Sequence, residues 1–143
     1  MIDWANLAAN SLWILGCAAA LATIDLIENE YMQNAVEVGA YAKDILEEIK
    51  FRHPTIGDVR GNGLMIGVEF IQDSETKKPA EGLRDMIIDN AFERGLLLLG
   101  CGTSTIRIAP PLSVTQSEVD EALEIIEEAI TVAEKESSLL HVA

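Results

Sequence analysis

The stretch Val59-Arg60-Gly61-Asn62-Gly63-Leu64-Met65-Ile66-Gly67-Val68-Glu69-Phe70 constrains this chain more than any other. Leu64, Ile66, Val68 and Phe70 fall on one face of an extended backbone, and Met65, Gly67 and Glu69 on the other. Strict alternation is the period of a strand with one face in a core. A glycine-punctuated turn, Gly61 to Gly63, feeds it. The rest of the chain must supply helices to cover this strand, or further strands to pair with it.

Residues 4 to about 29 read as a helix that is apolar nearly all round as far as Ile24. A helix without a polar face has to be buried on every side. This predicts cover from another part of a larger protein or from a second copy. The 21 residues from Trp4 to Ile24 carry no charge, which is long enough to span a bilayer. However, Asn6, Asn10 and Ser11 interrupt the run, Asp3 and Asp25 flank it, and the first basic residue is Lys43. A membrane helix or a signal peptide calls for basic flanking residues, so membrane insertion is disfavoured.

A second helix is expected over 30–51, with Met32, Ala35, Gly39, Ala42, Leu46 and Ile49 as its inner stripe. His53-Pro54 ends it, because the residue before proline avoids the helical region; His53 is expected at the surface. Asp73 to Pro79 reads as an exposed loop. Residues 80–94 form a third helix with Leu83, Ile87 and Ala91 inward, closed by Gly95. Leu96 to Leu99 is a short continuous apolar run, expected as a strand buried on both faces. Gly100 to Ser104 is a turn. Thr105 to Ala109 is a strand in which Arg107 points away from Ile106 and Ile108, and Pro110-Pro111 stops it. Thr115-Gln116-Ser117-Glu118 is a capping box. It opens a last helix to about residue 135, with Ala122, Ile125, Ile126, Ala129 and Val132 inward, and residues 137–143 are a frayed tail. The order α-α-β-α-β-β-α predicts an α+β fold, a small, mostly antiparallel sheet covered by helices, preceded by a long apolar N-terminal helix.

The net charge of −14 excludes a nucleic-acid footprint and argues against an anionic membrane surface. Cys17 and Cys101 belong to no metal-type cluster, so a reduced, cytoplasmic protein without a metal site is expected. Gly61-x-Gly63-x-x-x-Gly67 has its third glycine one residue late for a dinucleotide fingerprint, and it leads into a strand rather than a helix. Glu69 reads as a solvated strand residue. Arg107 is the polar residue of most interest. Between a glycine-rich turn and a Pro-Pro stop, its guanidinium can hold a substrate carboxylate in a bidentate pair. An ordinary ion pair with one of the 24 acidic residues fits its position equally well.

The run Ile56 to Phe70 resembles the small-domain signature of class III aminotransferases, pyridoxal-phosphate enzymes that include the 4-aminobutyrate and acetylornithine aminotransferases. Three further segments resemble the family in the same order: Cys17-Ala18-Ala19-Ala20-Leu21-Ala22-Thr23-Ile24-Asp25, Ala91-Phe92-Glu93-Arg94-Gly95-Leu96-Leu97, and Thr105-Ile106-Arg107-Ile108-Ala109-Pro110-Pro111-Leu112. The resemblance implies the C-terminal small domain of a fold-type I enzyme over residues 17–136, preceded by a divergent helical segment, 1–16. It implies that Arg107 receives the substrate carboxylate, and that the family enzyme is a homodimer. The family's Schiff-base lysine belongs to the large domain. Lys43, Lys50, Lys77, Lys78 and Lys135 all lie in helix-surface or loop contexts, unlike a lysine whose pKa is depressed by burial. The expectation is therefore the last third of such an enzyme, as a fragment, a split-gene product or a truncated frame. Such a chain would be inactive alone and would bind no pyridoxal phosphate itself. It assigns no residue to catalysis, cofactor binding or metal ligation. The alternative expectation is a non-catalytic module on the same fold that self-associates or binds a small carboxylate.

Overall fold

The structure is a computed structural model describing the backbone of residues 4–140 and the side chains of residues 13–137. The elements in chain order are α1 (Trp4–Leu26), a π-helical turn (Ile27–Tyr31), α2 (Met32–Arg52), β1 (Ile56–Asn62), β2 (Met65–Phe70), α3 (Glu81–Glu93), β3 (Leu99–Cys101), β4 (Thr105–Ile108) and α4 (Gln116–Leu140). The chain divides into two compact units, Met1–Gln33 and Asn34–Ala143.

In the first unit the uncharged run is helical, as expected. Among its described side chains, Trp13, Ile14, Leu15 and Leu21 are all more than two-thirds exposed. Where a break between two helices was expected, residues 27–31 make a π-helical turn instead. Such a turn takes up one extra residue without ending the helical backbone. Asn29 Nδ2 donates to the Asp25 carbonyl at 2.9 Å and to its Oδ1 at 2.9 Å. Residues 1–3 of the expected N-terminal segment and 141–143 of the expected tail lie outside the described residues. Among the described residues no helix is long and apolar enough to cross a membrane.

The second unit holds a four-stranded, wholly antiparallel sheet in the order β1-β2-β4-β3. The α+β architecture expected from the sequence is the one found. One face of the sheet packs on the helices. Val59, Ile66, Val68, Phe70 and Ile106 share a core with Leu46 and Ile49 of α2, Ile87 and Ala91 of α3, and Ile126 and Ile130 of α4.

The strand β1 has no counterpart in the sequence reading, which took its second half for a turn. A bulge at Gly57 shifts the register between Ile56 and Asp58. Ile56 and Val59, three apart, therefore both face the core, and the period of two is lost to the eye. The turn joining β1 to β2 is only Gly63-Leu64, with Asn62 paired to Met65. Gly63 has φ +54, a value that favours glycine. It also lies against α2: a Cβ on Gly39 would come within 2.3 Å of the Gly63 carbonyl carbon and oxygen.

The expected inner stripe of α2 holds from Gly39 onward, but Met32 is exposed. His53 is buried rather than on the surface. Its Nδ1 lies 2.8 Å from Glu134 Oε2, and Thr55 Oγ1 donates to the other oxygen of that carboxylate. Nothing near it in sequence supplies this partner; α4 brings it across the fold.

Two further expectations are corrected. Leu96 to Leu99 is not a strand buried on both faces. The strand is Leu99–Cys101; it stands at the sheet edge and all three of its residues are exposed. Leu98 is buried, whereas Leu97 and Leu99 are 74% and 54% exposed. On α4 the capping box forms as expected. Glu118 Oε2 accepts from the Thr115 backbone N–H at 2.8 Å, and Thr115 Oγ1 accepts from the Glu118 N–H at 3.3 Å. The fully buried stripe is nevertheless Val119, Leu123, Ile126, Ile130 and Ala133, with Ala129 beside it; Ala122, Ile125 and Val132 lie at its half-buried margin. The helix runs to Leu140 rather than ending near 135, since no glycine or proline interrupts it.

Candidate functional site

The face of the sheet turned away from the helices carries the polar residues. Register across the four strands sets them in two rows. Arg60, Gly67, Arg107 and Leu99 stand side by side in one, and Asp58, Glu69, Thr105 and Cys101 in the next. Arg107 is brought here by β4, as the sequence predicts: Ile106 is buried on one side and Arg107 is exposed on the other.

The two arginines of the first row differ in their surroundings. Arg60 Nη1 donates to Asp58 Oδ2 at 2.9 Å and to Glu69 Oε2 at 2.6 Å, and its Nη2 lies 3.5 Å from Thr105 Oγ1. These hydrogen bonds, that to Asp58 first and that to Glu69 second, raise the Arg60 pKa and hold it charged. Glu69 is therefore an ion-paired residue, not the merely solvated one expected. Of the five arginines, Arg52, Arg60, Arg84 and Arg94 each have a carboxylate within 4.0 Å. Arg107 has no carboxylate or hydrogen-bond partner among the described residues. The ordinary ion pair allowed by its position is thus not formed among the described residues.

Gly67 lies beside Arg107 in register and keeps the space next to the guanidinium low. A Cβ there would meet Thr105 Cγ2 at 3.3 Å. Arg107 also belongs to the wall of a cleft of about 410 Å³, where Leu97, Leu99, Ile108 and Pro111 meet Val119 and Ala122 of α4. The wall is apolar but for Arg107 and Glu118, and Glu118 is engaged in its capping box. The hydrogen bonds from the Thr115 backbone and hydroxyl hold its carboxyl below the usual range. An unpaired guanidinium beside an apolar cleft can bind the carboxylate of a molecule with an aliphatic body.

The sequence reading missed Arg60 and Asp58 as neighbours of the site. Arg60 and Glu69 are nine residues apart and meet only through the hairpin register. The signal was present in Gly63-Leu64, a two-residue hairpin turn opened by a glycine, once β1 is accepted as a strand. A second polar cluster lies elsewhere. Arg52 grips Glu127 with two hydrogen bonds, 2.6 and 2.9 Å long, and the bond from Arg52 chiefly lowers the Glu127 pKa. Among the described residues no three His, Cys, Asp or Glu side chains stand close enough together to hold a metal ion.

The family model "Aminotransferase class-III" matches residues 10–130. An alanine/serine racemase of Pyrococcus horikoshii is 48% identical over 79% of this chain and 24% of that protein. The 5-aminovalerate aminotransferase DavT of Pseudomonas aeruginosa is 38% identical over 80% of this chain and 28% of its own length. The 4-aminobutyrate aminotransferase GabT of Escherichia coli is 37% identical over 85% and 29%. Among solved structures, the PMP-bound aminotransferase from Vibrio fluvialis superposes with a TM-score of 0.78 at 29% identity, covering 85% of this chain and 27% of that one. A transaminase from ancestral reconstruction gives 0.77 at 35%, covering 83% and 27%. The chain thus spans about a quarter of the length of the relatives it matches.

Proposed function

The chain belongs to the class III aminotransferase family, and on that premise we propose that it supplies the substrate-carboxylate wall of a pyridoxal-phosphate enzyme acting on amino acids. One observation carries this reading: Arg107 stands without a partner on the open face, beside Gly67 and an apolar cleft. The names of the relatives support it. Alanine, serine, 5-aminovalerate and 4-aminobutyrate all present a carboxylate on a short aliphatic body. Binding that carboxylate is a contribution that amino-group transfer and racemisation would both use.

The cofactor chemistry lies beyond these residues. Pyridoxal phosphate supplies an electron sink when it is bound, through a lysine in a shielded site. No lysine of this chain is buried: Lys43 and Lys50 are half-buried on α2, and Lys77, Lys78 and Lys135 are exposed. The described residues do not fit a covalent site for the cofactor. The chain then acts with a large domain carrying the lysine, in a homodimer of the complete enzyme.

The test is a titration of the chain with butyrate, followed by the backbone amide signals of Gly67 and Leu99. Saturable shifts are expected in the wild type and not in Arg107→Ala. Shifts that survive Arg107→Ala, or none in the wild type, would overturn the reading. Separately, borohydride reduction in the presence of pyridoxal phosphate should leave no single lysine stoichiometrically labelled. One fully labelled lysine would refute the assignment of the cofactor site to another part of the enzyme.

A further inference from the structure

We propose that the Asp58–Arg60–Glu69 network restricts the Arg107 site to ligands with a single carboxylate, by withholding the second guanidinium of the row. This rests on the reading of Arg107 as a carboxylate receptor and adds which class of carboxylate it takes.

Arg60 and Arg107 occupy the same row of the open face, separated only by Gly67. Two strand spacings place their backbones roughly 9.5 Å apart. Both side chains are long, and the glycine between them puts nothing in the way. Unpaired, two guanidiniums so placed would suit a dicarboxylate, one at each end. Arg60 is not unpaired. Asp58 and Glu69 both take its Nη1, so the trio carries one more negative charge than positive.

The consequence for a ligand is directional. A carboxylate on Arg107 meets an unsatisfied cation. A second carboxylate reaching across Gly67 meets a cation already neutralised and two carboxylates beside it. Like charges at short range disfavour binding, and desolvating that second carboxylate brings no new ion pair in return. A neutral or ammonium-bearing far end suffers neither cost. Glu69 and Asp58 thereby become specificity-determining residues that need not touch a preferred ligand.

Thr105 shows where that neutralised guanidinium lies. It is buried on β4, two strands from Arg60, and its hydroxyl lies 3.5 Å from Arg60 Nη2. The Arg60 side chain thus reaches across β2 toward the strand of Arg107, and it brings its two carboxylate partners' charge to that side of the face.

The test uses the full chain and two ligands of similar length, butyrate and glutarate, titrated against the Gly67 and Leu99 amide signals at fixed ionic strength. In the wild type glutarate is expected to bind no more tightly than butyrate, despite its extra charge. In the double variant Asp58→Asn/Glu69→Gln, glutarate should tighten at least fivefold while butyrate changes less than twofold. Adding Arg60→Gln to that double variant should abolish the gain, which a general change in surface charge would not do. Circular dichroism on each variant checks that the fold is kept, and the single variants Asp58→Asn and Glu69→Gln serve if the double variant unfolds. Equal tightening of both ligands, no tightening of glutarate, or a gain that persists without Arg60 would overturn the inference. Binding of either ligand that survives Arg107→Ala would overturn the carboxylate receptor itself, so the two failures are distinguishable.

Discussion

Single residues carry most of the chemistry legible here, and their neighbours decide what that chemistry is. Arg60 and Arg107 are the same side chain on the same face of one sheet. Two carboxylates consume the charge of the first, and none among the described residues meets the second. Glu127 illustrates the same point for stability. Arg52 holds its pKa below the ordinary 4.5. A carboxylate with a depressed folded-state pKa stabilises the fold above its unfolded value, and that stabilisation is lost as pH falls through the folded value. Glu127→Gln should therefore lower the melting temperature at pH 7 by the equivalent of about 0.5–1 kcal/mol, the range for a partly exposed pair. The difference from wild type should shrink progressively below pH 4.5. A difference that stays constant down to pH 2.5 would show that the pair does not contribute through its charge. His53 was legible only in part. Its place before Pro54 marks the helix end correctly, but its burial depends on Glu134, which sequence spacing alone does not bring near.

At the level of elements, those with one dominant period were readable and those whose period is interrupted were not. β2 alternates without a flaw and was found. β1 was lost to the bulge at Gly57. The leucine run at 96–99 misled because a continuous apolar run signals a strand buried on both faces, whereas only Leu99 of the run enters β3, and it is exposed. α4 was found with its cap, but its stripe was misplaced because two apolar rows overlap and only packing chooses between them. Two predictions belong at this scale. Thr115→Ala removes the N-cap and should cost about 1 kcal/mol in urea unfolding. In a double-mutant cycle with Glu118→Gln the two losses should fall short of additive, since each residue satisfies the other. Gly39→Ala should be worse than helix propensity suggests. Alanine is the better helix former, yet its Cβ would meet backbone atoms of Gly63 at 2.3 Å. A loss of about 1–3 kcal/mol from overpacking is expected; a gain in stability would mean that α2 moves away from the hairpin at little cost.

For the molecule as a whole, excess charge opposes folding while the core of the second unit supports it. A net charge of −14 repels itself in the compact state. Raising sodium chloride from 10 to 200 mM should screen this repulsion and raise the melting temperature by several degrees, on the order of 1 kcal/mol for a domain of this size. A fall instead would mean that the local ion pairs outweigh the global repulsion.

The strand order β1-β2-β4-β3 also has a consequence in time. Each half of the sheet is a hairpin closed by a short connection, and such hairpins form within microseconds. The seam between β2 and β4 joins them only after α3 has been passed, so closure waits on the most distant contacts in the sheet. During synthesis the first hairpin leaves the ribosome with the inner edge of β2 unpaired, beside Ile66 and Val68. An open apolar edge invites pairing with another nascent chain. β4 is thus both the carrier of Arg107 and the stopper that closes this edge. Substitutions that weaken β4 should first appear as a larger insoluble fraction on expression, before the melting temperature of the soluble fraction falls.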